Sequence, residues 1–198
     1  NTEFRVEAGD VPELALYMPG MGGNLKFALV KGDKAIWIAE AADIETRYRP
    51  GSMIYSIADP ILGSGKIRLT VLAMCDEEGM MLKLEGTNAS EVKLMAVYGG
   101  ASNEVFRRAG ERNVDAADCF FLKAKNCKDN VYELNKNTFS LKFGKNPVIA
   151  GGSHLVDKVP DGRVFLGTFP ESAVLKIKDV SAAKSPVSLL NSNEEPRL

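Results

Sequence analysis

Residues of different polarity alternate with a period of two along much of the chain. Ile44, Thr46 and Tyr48 alternate with charged neighbours, and similar alternation recurs over residues 67–73 and 139–143. Successive side chains of a β-strand point to opposite faces of a sheet, so this pattern is typical of half-buried strands. It predicts roughly a dozen strands, far more than helices.

Turn-forming residues separate these runs. Pro50-Gly51, the acidic stretch 76–79 and Asp161-Gly162 fall between predicted strands, and only residues 102–109 favour one or two helical turns. Short strands joined by turns indicate an antiparallel sandwich or barrel, because a parallel βαβ fold needs crossover helices. We expect an all-β fold with two large antiparallel sheets packed face to face.

The composition fits one domain with its own core. Of the 198 residues, 45% are hydrophobic and 26% are charged, which is enough to form a core without metals or disulfides. We expect a single sandwich domain over residues 1–190. The polar residues 191–198 resemble the start of a linker to a further domain.

The charge balance argues against two classes of partner. The net charge is −1 and the isoelectric point is about 6.0, so the chain lacks the basic surface typical of proteins that bind nucleic acid or anionic membranes. No apolar run approaches the ~20 residues that span a bilayer. We therefore expect neither nucleic acid binding nor membrane insertion.

Three cysteines leave the redox compartment open. Cys119 and Cys127 are spaced so that they could bridge two hairpin strands, although an odd count argues against a full disulfide framework. Cys75 follows an apolar run, which predicts a buried thiol.

No motif in the chain predicts catalysis, a metal site or a cofactor. Gly63-Ser64-Gly65-Lys66 resembles part of a phosphate-binding loop, but Pro60 and Ile67 occupy positions where that motif requires glycine and a hydroxyl residue. His154 is the single histidine, and a lone loop histidine supports neither a catalytic triad nor a zinc site. The carboxylates show no spacing that selects an acid–base pair.

Three aromatic residues are candidates for carbohydrate contact. Trp37, Tyr48 and Tyr55 could each stack a flat ring against the apolar C–H face of a sugar. The competing interpretation is core packing, since Trp37 lies in a run that is apolar on both faces and Tyr48 shares a strand face with Ile44.

Residues 99–112 combine a glycine-rich turn with three arginines. Arg107, Arg108 and Arg112 are candidates for an interface with a neighbouring domain. A solvated, salt-bridged loop is the alternative.

Four segments carry a resemblance to a known family: residues 13–24, 47–60, 66–78 and 98–102. In their order and turn pattern they resemble an uncharacterised N-terminal β-sandwich domain, of the DUF4450 kind, in large polysaccharide-degradation proteins of gut Gram-negative bacteria. The resemblance implies a supersandwich of the galactose-mutarotase-like type, followed by a helical toroid of glycosidase type. It also implies a periplasmic or cell-surface location.

The resemblance carries no catalytic residue onto this chain, because its motifs are patterns of strand and turn. Our leading hypothesis is a non-catalytic accessory domain of a glycoside hydrolase that packs against the catalytic domain of the same polypeptide. The alternatives are a carbohydrate-binding module that holds an oligosaccharide on its aromatic surface, and an independent enzyme such as a sugar epimerase. A single histidine in a loop is a poor basis for the acid–base catalysis that such an enzyme needs.

Overall fold

The computed structural model describes residues 5–18, 20–99, 130–144, 164–178 and 185–191. Strands make up 57% of the structure and helices 10%, which confirms the all-β prediction. The strands are β1 Arg5–Ala8, β2 Leu14–Met18, β3 Gly20–Lys31, β4 Lys34–Trp37, β5 Asp43–Arg49, β6 Ser52–Ala58, β7 Lys66–Ala73, β8 Met80–Thr87, β9 Lys93–Gly99, β10 Val131–Asn135, β11 Thr138–Lys142 and β12 Val164–Thr168. Two 3-10 helices span Ile38–Glu40 and Pro60–Leu62, and α1 spans Pro186–Asn191.

The described strands form three antiparallel sheets. Sheet A contains β1, β2, β3 and β4 in that order, with β9 paired to the opposite edge of β3. Sheet B is the meander β5-β6-β7-β8, and sheet C is β10-β11-β12. The sequence pattern predicts two large sheets, and the structure adds the small third one.

Sheets A and B share one hydrophobic core. Leu25, Phe27 and Leu29 of β3 pack in the same cluster as Tyr55 of β6 and Leu69 of β7. All five are buried, and each large apolar side chain removed from water contributes about 1.5–3 kcal/mol. Their period-two spacing turns one face of each sheet inward, as the alternation predicts.

The opposite face of β3 is buried as well. Asn24 and Ala28 point away from sheet B and are buried, as is Ala15 across from Asn24 on β2. α1 contacts β4, and its Leu189 is buried. The central strand therefore has protein on both faces.

Sheet C is joined to sheet A through a cluster of aromatic rings around Tyr98 at the end of β9. The Tyr98 ring is parallel to that of Phe165, with centroids 5.0 Å apart, and lies 5.1 Å from Phe139 in a tilted arrangement. Tyr98 also contacts the core between sheets A and B. It is thus a member of both clusters, and it links the small sheet to the sandwich.

Gly167 of β12 leaves room for the ring of Phe139. The two residues are direct cross-strand neighbours, and a Cβ atom at position 167 would overlap the Phe139 ring. Only glycine fits without displacing that ring from the aromatic cluster.

Cys75 is exposed, so the prediction of a buried thiol is wrong. The physical reason is where β7 ends. The strand stops at Ala73, and the amide of Met74 donates a hydrogen bond to the carbonyl oxygen of Gly79 at 3.0 Å, which closes the hairpin. Cys75 therefore lies in the loop, although the run before it is apolar.

Replacing Tyr98 with alanine is expected to loosen sheet C from the sandwich. The change removes two ring contacts and leaves a cavity, which should cost about 2–4 kcal/mol of unfolding free energy. Urea unfolding followed by near-ultraviolet circular dichroism measures this loss. Tyr98→Phe keeps the ring and should unfold close to the parent protein. An alanine variant as stable as the parent would rule out Tyr98 as the link.

Candidate functional site

Tyr48 is the candidate aromatic that the structure leaves most accessible. It lies near the end of β5, opposite Met53 of β6, and its residue is 73% exposed. Two residues earlier on the same face, the hydroxyl of Thr46 donates to the carbonyl oxygen of Asp10 at 2.6 Å, so the loop before β2 contacts the middle of the strand. The Tyr48 side chain, at the open end of β5, is therefore accessible to a ligand or a partner.

Tyr55 is part of the core and offers no accessible face to a sugar. Its residue is fully buried, and its hydroxyl donates to the carbonyl oxygen of Gly9 at 2.7 Å. Burial, reinforced by the negative charge of Asp10, raises the pKa of Tyr55 to about 12. The hydrogen bond satisfies the phenol and ties the β1–β2 connection to sheet B. We therefore assign Tyr55 a structural role.

Trp37 is half-buried on the face of sheet A that points away from sheet B. It lies opposite Ala28, and the ammonium nitrogen of Lys26 is 6.0 Å from its ring centroid. Lys26 in turn forms an ion pair with Glu13, with 2.7 Å between Nζ and Oε1. This arrangement is a packed Trp–Lys–Glu contact, and it explains Trp37 without a ligand.

The remaining sequence candidates lie outside the described residues. These are the three arginines Arg107, Arg108 and Arg112, the possible disulfide between Cys119 and Cys127, and His154. Their roles stay predictions.

The outer face of sheet B carries exposed ion pairs. Arg47 binds Glu45 with 2.6 Å between Nη2 and Oε1, and Lys83 binds Glu85 with 2.7 Å between Nζ and Oε1. The hydrogen bond from Lys83 lowers the pKa of Glu85, and the nearby charges of Lys83 and Arg68 add to this effect. Exposed pairs of this kind contribute little to stability, so we interpret them as a solvated face.

One corner of that outer face is apolar, and the sequence analysis missed it. Leu72 of β7 and Met81 of β8 are direct cross-strand neighbours. The bond from the Met74 amide to Gly79 continues that register, so Met74 follows Leu72 on the same side of the hairpin. The side chain of Met74 lies over Gly79, because a Cβ atom there would be 2.9 Å from its sulfur. We call Leu72, Met74 and Met81 the methionine corner. The sequence alone does not show this patch, because residues 72, 74 and 81 come together only in the observed hairpin register.

Two small, open clefts are found among the described residues. The first has a volume of about 280 Å³ and lies beside the Lys31–Glu91 ion pair, and the second, of about 260 Å³, lies on sheet C near Glu133 and Leu166. Each is lined by a single carboxylate, Glu91 in the first and Glu133 in the second. In the described ranges, no group of three or more His, Cys, Asp or Glu side chains could hold a metal ion. No helix in those same ranges is both long and apolar enough to cross a membrane.

The raised pKa of Tyr55 predicts a loss of stability at high pH. The unfolded chain ionises near pH 10 while the folded protein keeps the proton to about pH 12, so the stabilisation is complete below pH 10 and decreases above it. Across this window the parent protein should lose on the order of 2 kcal/mol more than Tyr55→Phe. Urea titrations at a series of pH values measure the difference. Parallel losses in both proteins would contradict the assignment.

Comparison with known proteins identifies the family. A family model described as "Domain of unknown function (DUF4450)" matches residues 18–197. No curated protein and no solved structure matches the chain significantly. Because the family match spans most of the 198 residues, this chain belongs to the DUF4450 family of domains.

Proposed function

We propose that this domain is a non-catalytic, structural β-sandwich of a glycoside hydrolase involved in polysaccharide degradation. In this proposal it packs against a downstream (α/α) toroid catalytic domain of the same polypeptide, in the periplasm or at the cell surface. Support for the carbohydrate setting comes from the resemblance of its strand and turn pattern to sandwich domains of polysaccharide-degradation proteins. Membership of the DUF4450 family is consistent with that resemblance.

The observation that carries the structural role is that buried and half-buried polar side chains bond to the backbone of other parts of the fold. The Tyr55 hydroxyl holds Gly9, and the side-chain amide of Asn137 donates to the carbonyl oxygen of Phe169. The carboxylate of Asp59 accepts from the amides of Ala42 and Ile61 at 3.1 and 2.9 Å. Each contact fixes one part of the backbone against another, so these groups act as fold supports.

The exposed charged groups are paired with one another. Lys31 and Glu91 form an exposed ion pair beside the larger cleft, and the outer face of sheet B holds two more such pairs. A glycosidase acid needs a carboxyl group in an apolar pocket that raises its pKa. The pKa values of Glu85 and Glu91 move in the opposite direction, because each accepts a hydrogen bond from a lysine.

A carbohydrate-binding module is the second candidate, and the exposure of Tyr48 is the observation that favours it. A tyrosine ring that is 73% exposed on a strand offers flat apolar area to a sugar ring. A single exposed aromatic is a small platform, however, and the half-buried Trp37 lies on sheet A, away from sheet B. We therefore rank this function second.

The leading proposal predicts that the isolated chain hydrolyses no glycoside, whereas the natural polypeptide that carries the domain does. Both proteins would be assayed with chromogenic glycosides and plant polysaccharides at equal molar concentration. Turnover by the isolated chain that disappears when one of its own carboxylates is changed to an amide would contradict the proposal.

Affinity electrophoresis in gels that contain each polysaccharide separates the two candidate functions. A structural domain should migrate equally with and without polysaccharide, and Tyr48→Ala should not change its mobility. Retardation of the parent chain that Tyr48→Ala abolishes would favour the binding module. Val174→Ala, at another highly exposed apolar position, is the matched control.

A further inference from the structure

We infer that the methionine corner of sheet B is a docking surface for a neighbouring protein domain that presents apolar side chains next to basic ones. The inference rests on the proposed function, because it identifies the neighbour with another part of the same polypeptide. To that function it adds which surface of this domain docks, which side chains form the surface, and what chemistry the partner presents.

The corner is contiguous and accessible. Met81 is 58% exposed, Leu72 37% and Met74 36%. Leu72 and Met81 are paired across β7 and β8, and the hydrogen bond from the Met74 amide to Gly79 continues the same hairpin by one step. The three apolar side chains therefore cover one end of the outer face together. A contiguous apolar patch indicates an interaction site, whereas apolar residues exposed singly do not.

The corner departs from the rest of its own face. Further along the sheet the outer positions hold the ion pairs Glu45–Arg47 and Lys83–Glu85, which suit contact with water. At the hairpin end two methionines and a leucine replace that charged pattern. Methionine is flexible and polarisable, and it is common on protein surfaces that adapt to a partner.

The charges around the corner indicate the chemistry of the partner. The loop that joins β7 and β8 carries the exposed carboxylates Asp76 and Glu77 close to Met74 in the sequence. A partner with lysine or arginine next to its apolar side chains would match both the corner and this acidic rim. Such complementarity chiefly sets the orientation of docking, while the buried apolar area provides the affinity.

The chemistry also favours a protein over a sugar at this position. Sugar platforms use flat aromatic rings, and the corner is built from flexible aliphatic side chains. The carboxylates of Asp76 and Glu77 at the rim suit basic protein side chains. The corner and Tyr48 are thus separate hypotheses with separate tests.

Methionine oxidation tests the inference directly, because oxidation by dilute hydrogen peroxide follows exposure of the sulfur. The isolated chain and the natural polypeptide would be oxidised side by side, and each methionine followed by peptide mass spectrometry. We expect Met74 and Met81 to oxidise about tenfold more slowly in the natural polypeptide. Met95, on sheet A, is the internal control and should oxidise at similar rates in both proteins.

Hydroxyl-radical footprinting of the same two samples distinguishes a failure of this inference from a failure of the proposed function. Protection elsewhere on the domain, with Met74 and Met81 unprotected, would overturn the inference and leave the accessory role intact. If no part of the domain is protected, both the inference and the accessory role are overturned. Protection that appears in the isolated chain as its concentration rises would identify a second copy as the occupant, and this would also overturn the inference.

A charge placed in the corner provides an independent check. Met81→Lys should leave the melting temperature of the isolated chain unchanged, because the side chain is on the surface. In the natural polypeptide it should restore oxidation of Met74 to the rate of the isolated chain. Val174→Lys, at an exposed position elsewhere, should not. Continued protection of Met74 in Met81→Lys would contradict the inference.

Discussion

The burial of β3 on both faces, together with its pairing at both edges, is the constraint on which the rest of the fold depends. Leu25, Phe27 and Leu29 require an apolar surface opposite them, which sheet B supplies. Asn24 and Ala28 on the other face are buried as well. Over residues 23–29 this strand loses most of its contact with water, so its neighbours must fit closely in shape and register. The antiparallel pairs with β2, β4 and β9 set that register.

The same constraint explains how the polar side chains are used. Around a densely packed centre, a buried donor that lacks an acceptor costs about 1–3 kcal/mol, and a bond to the backbone avoids this cost. The buried Tyr55 bonds to Gly9, and the half-buried Asn137 bonds to Phe169. The ion pairs are on the outer face of sheet B and beside the β8–β9 connection, where water screens them. The polar side chains of the interior therefore bond within the fold, and the ion pairs lie at the surface.

The sequence predicts local features of this fold well because they depend on neighbouring residues. Alternation and the turn at Pro50-Gly51 place β5 and β6, and the acidic turn separates β7 from β8. Pairing between β3 and β9 joins residues about seventy positions apart, and no local pattern specifies it. The link through Tyr98 and the room that Gly167 leaves for Phe139 depend on the same kind of distant contact.

The candidate site residues show the same difference between what local patterns and what distant contacts determine. Tyr48 and Tyr55 lie on the same face of neighbouring strands, and the sequence gives both the same interpretation. One is largely exposed and the other fully buried, because the loop at Gly9–Asp10 contacts the middle of β5 and β6 and leaves the end of β5 open. Cys75 differs from its prediction for a related reason, since the end of a strand depends on hairpin closure. Exposure is decided by tertiary contacts, and these also create the methionine corner.

The central claim is that this DUF4450 domain acts by packing against a neighbour, with its own interior serving only the fold. Differential scanning calorimetry of the natural polypeptide, compared with the isolated chain, tests that claim most directly. The account predicts that the transition of this domain moves to higher temperature in the natural polypeptide and merges with that of the adjoining domain into one cooperative event. A domain that melts at the same temperature in both proteins, independently of its neighbour, would contradict it.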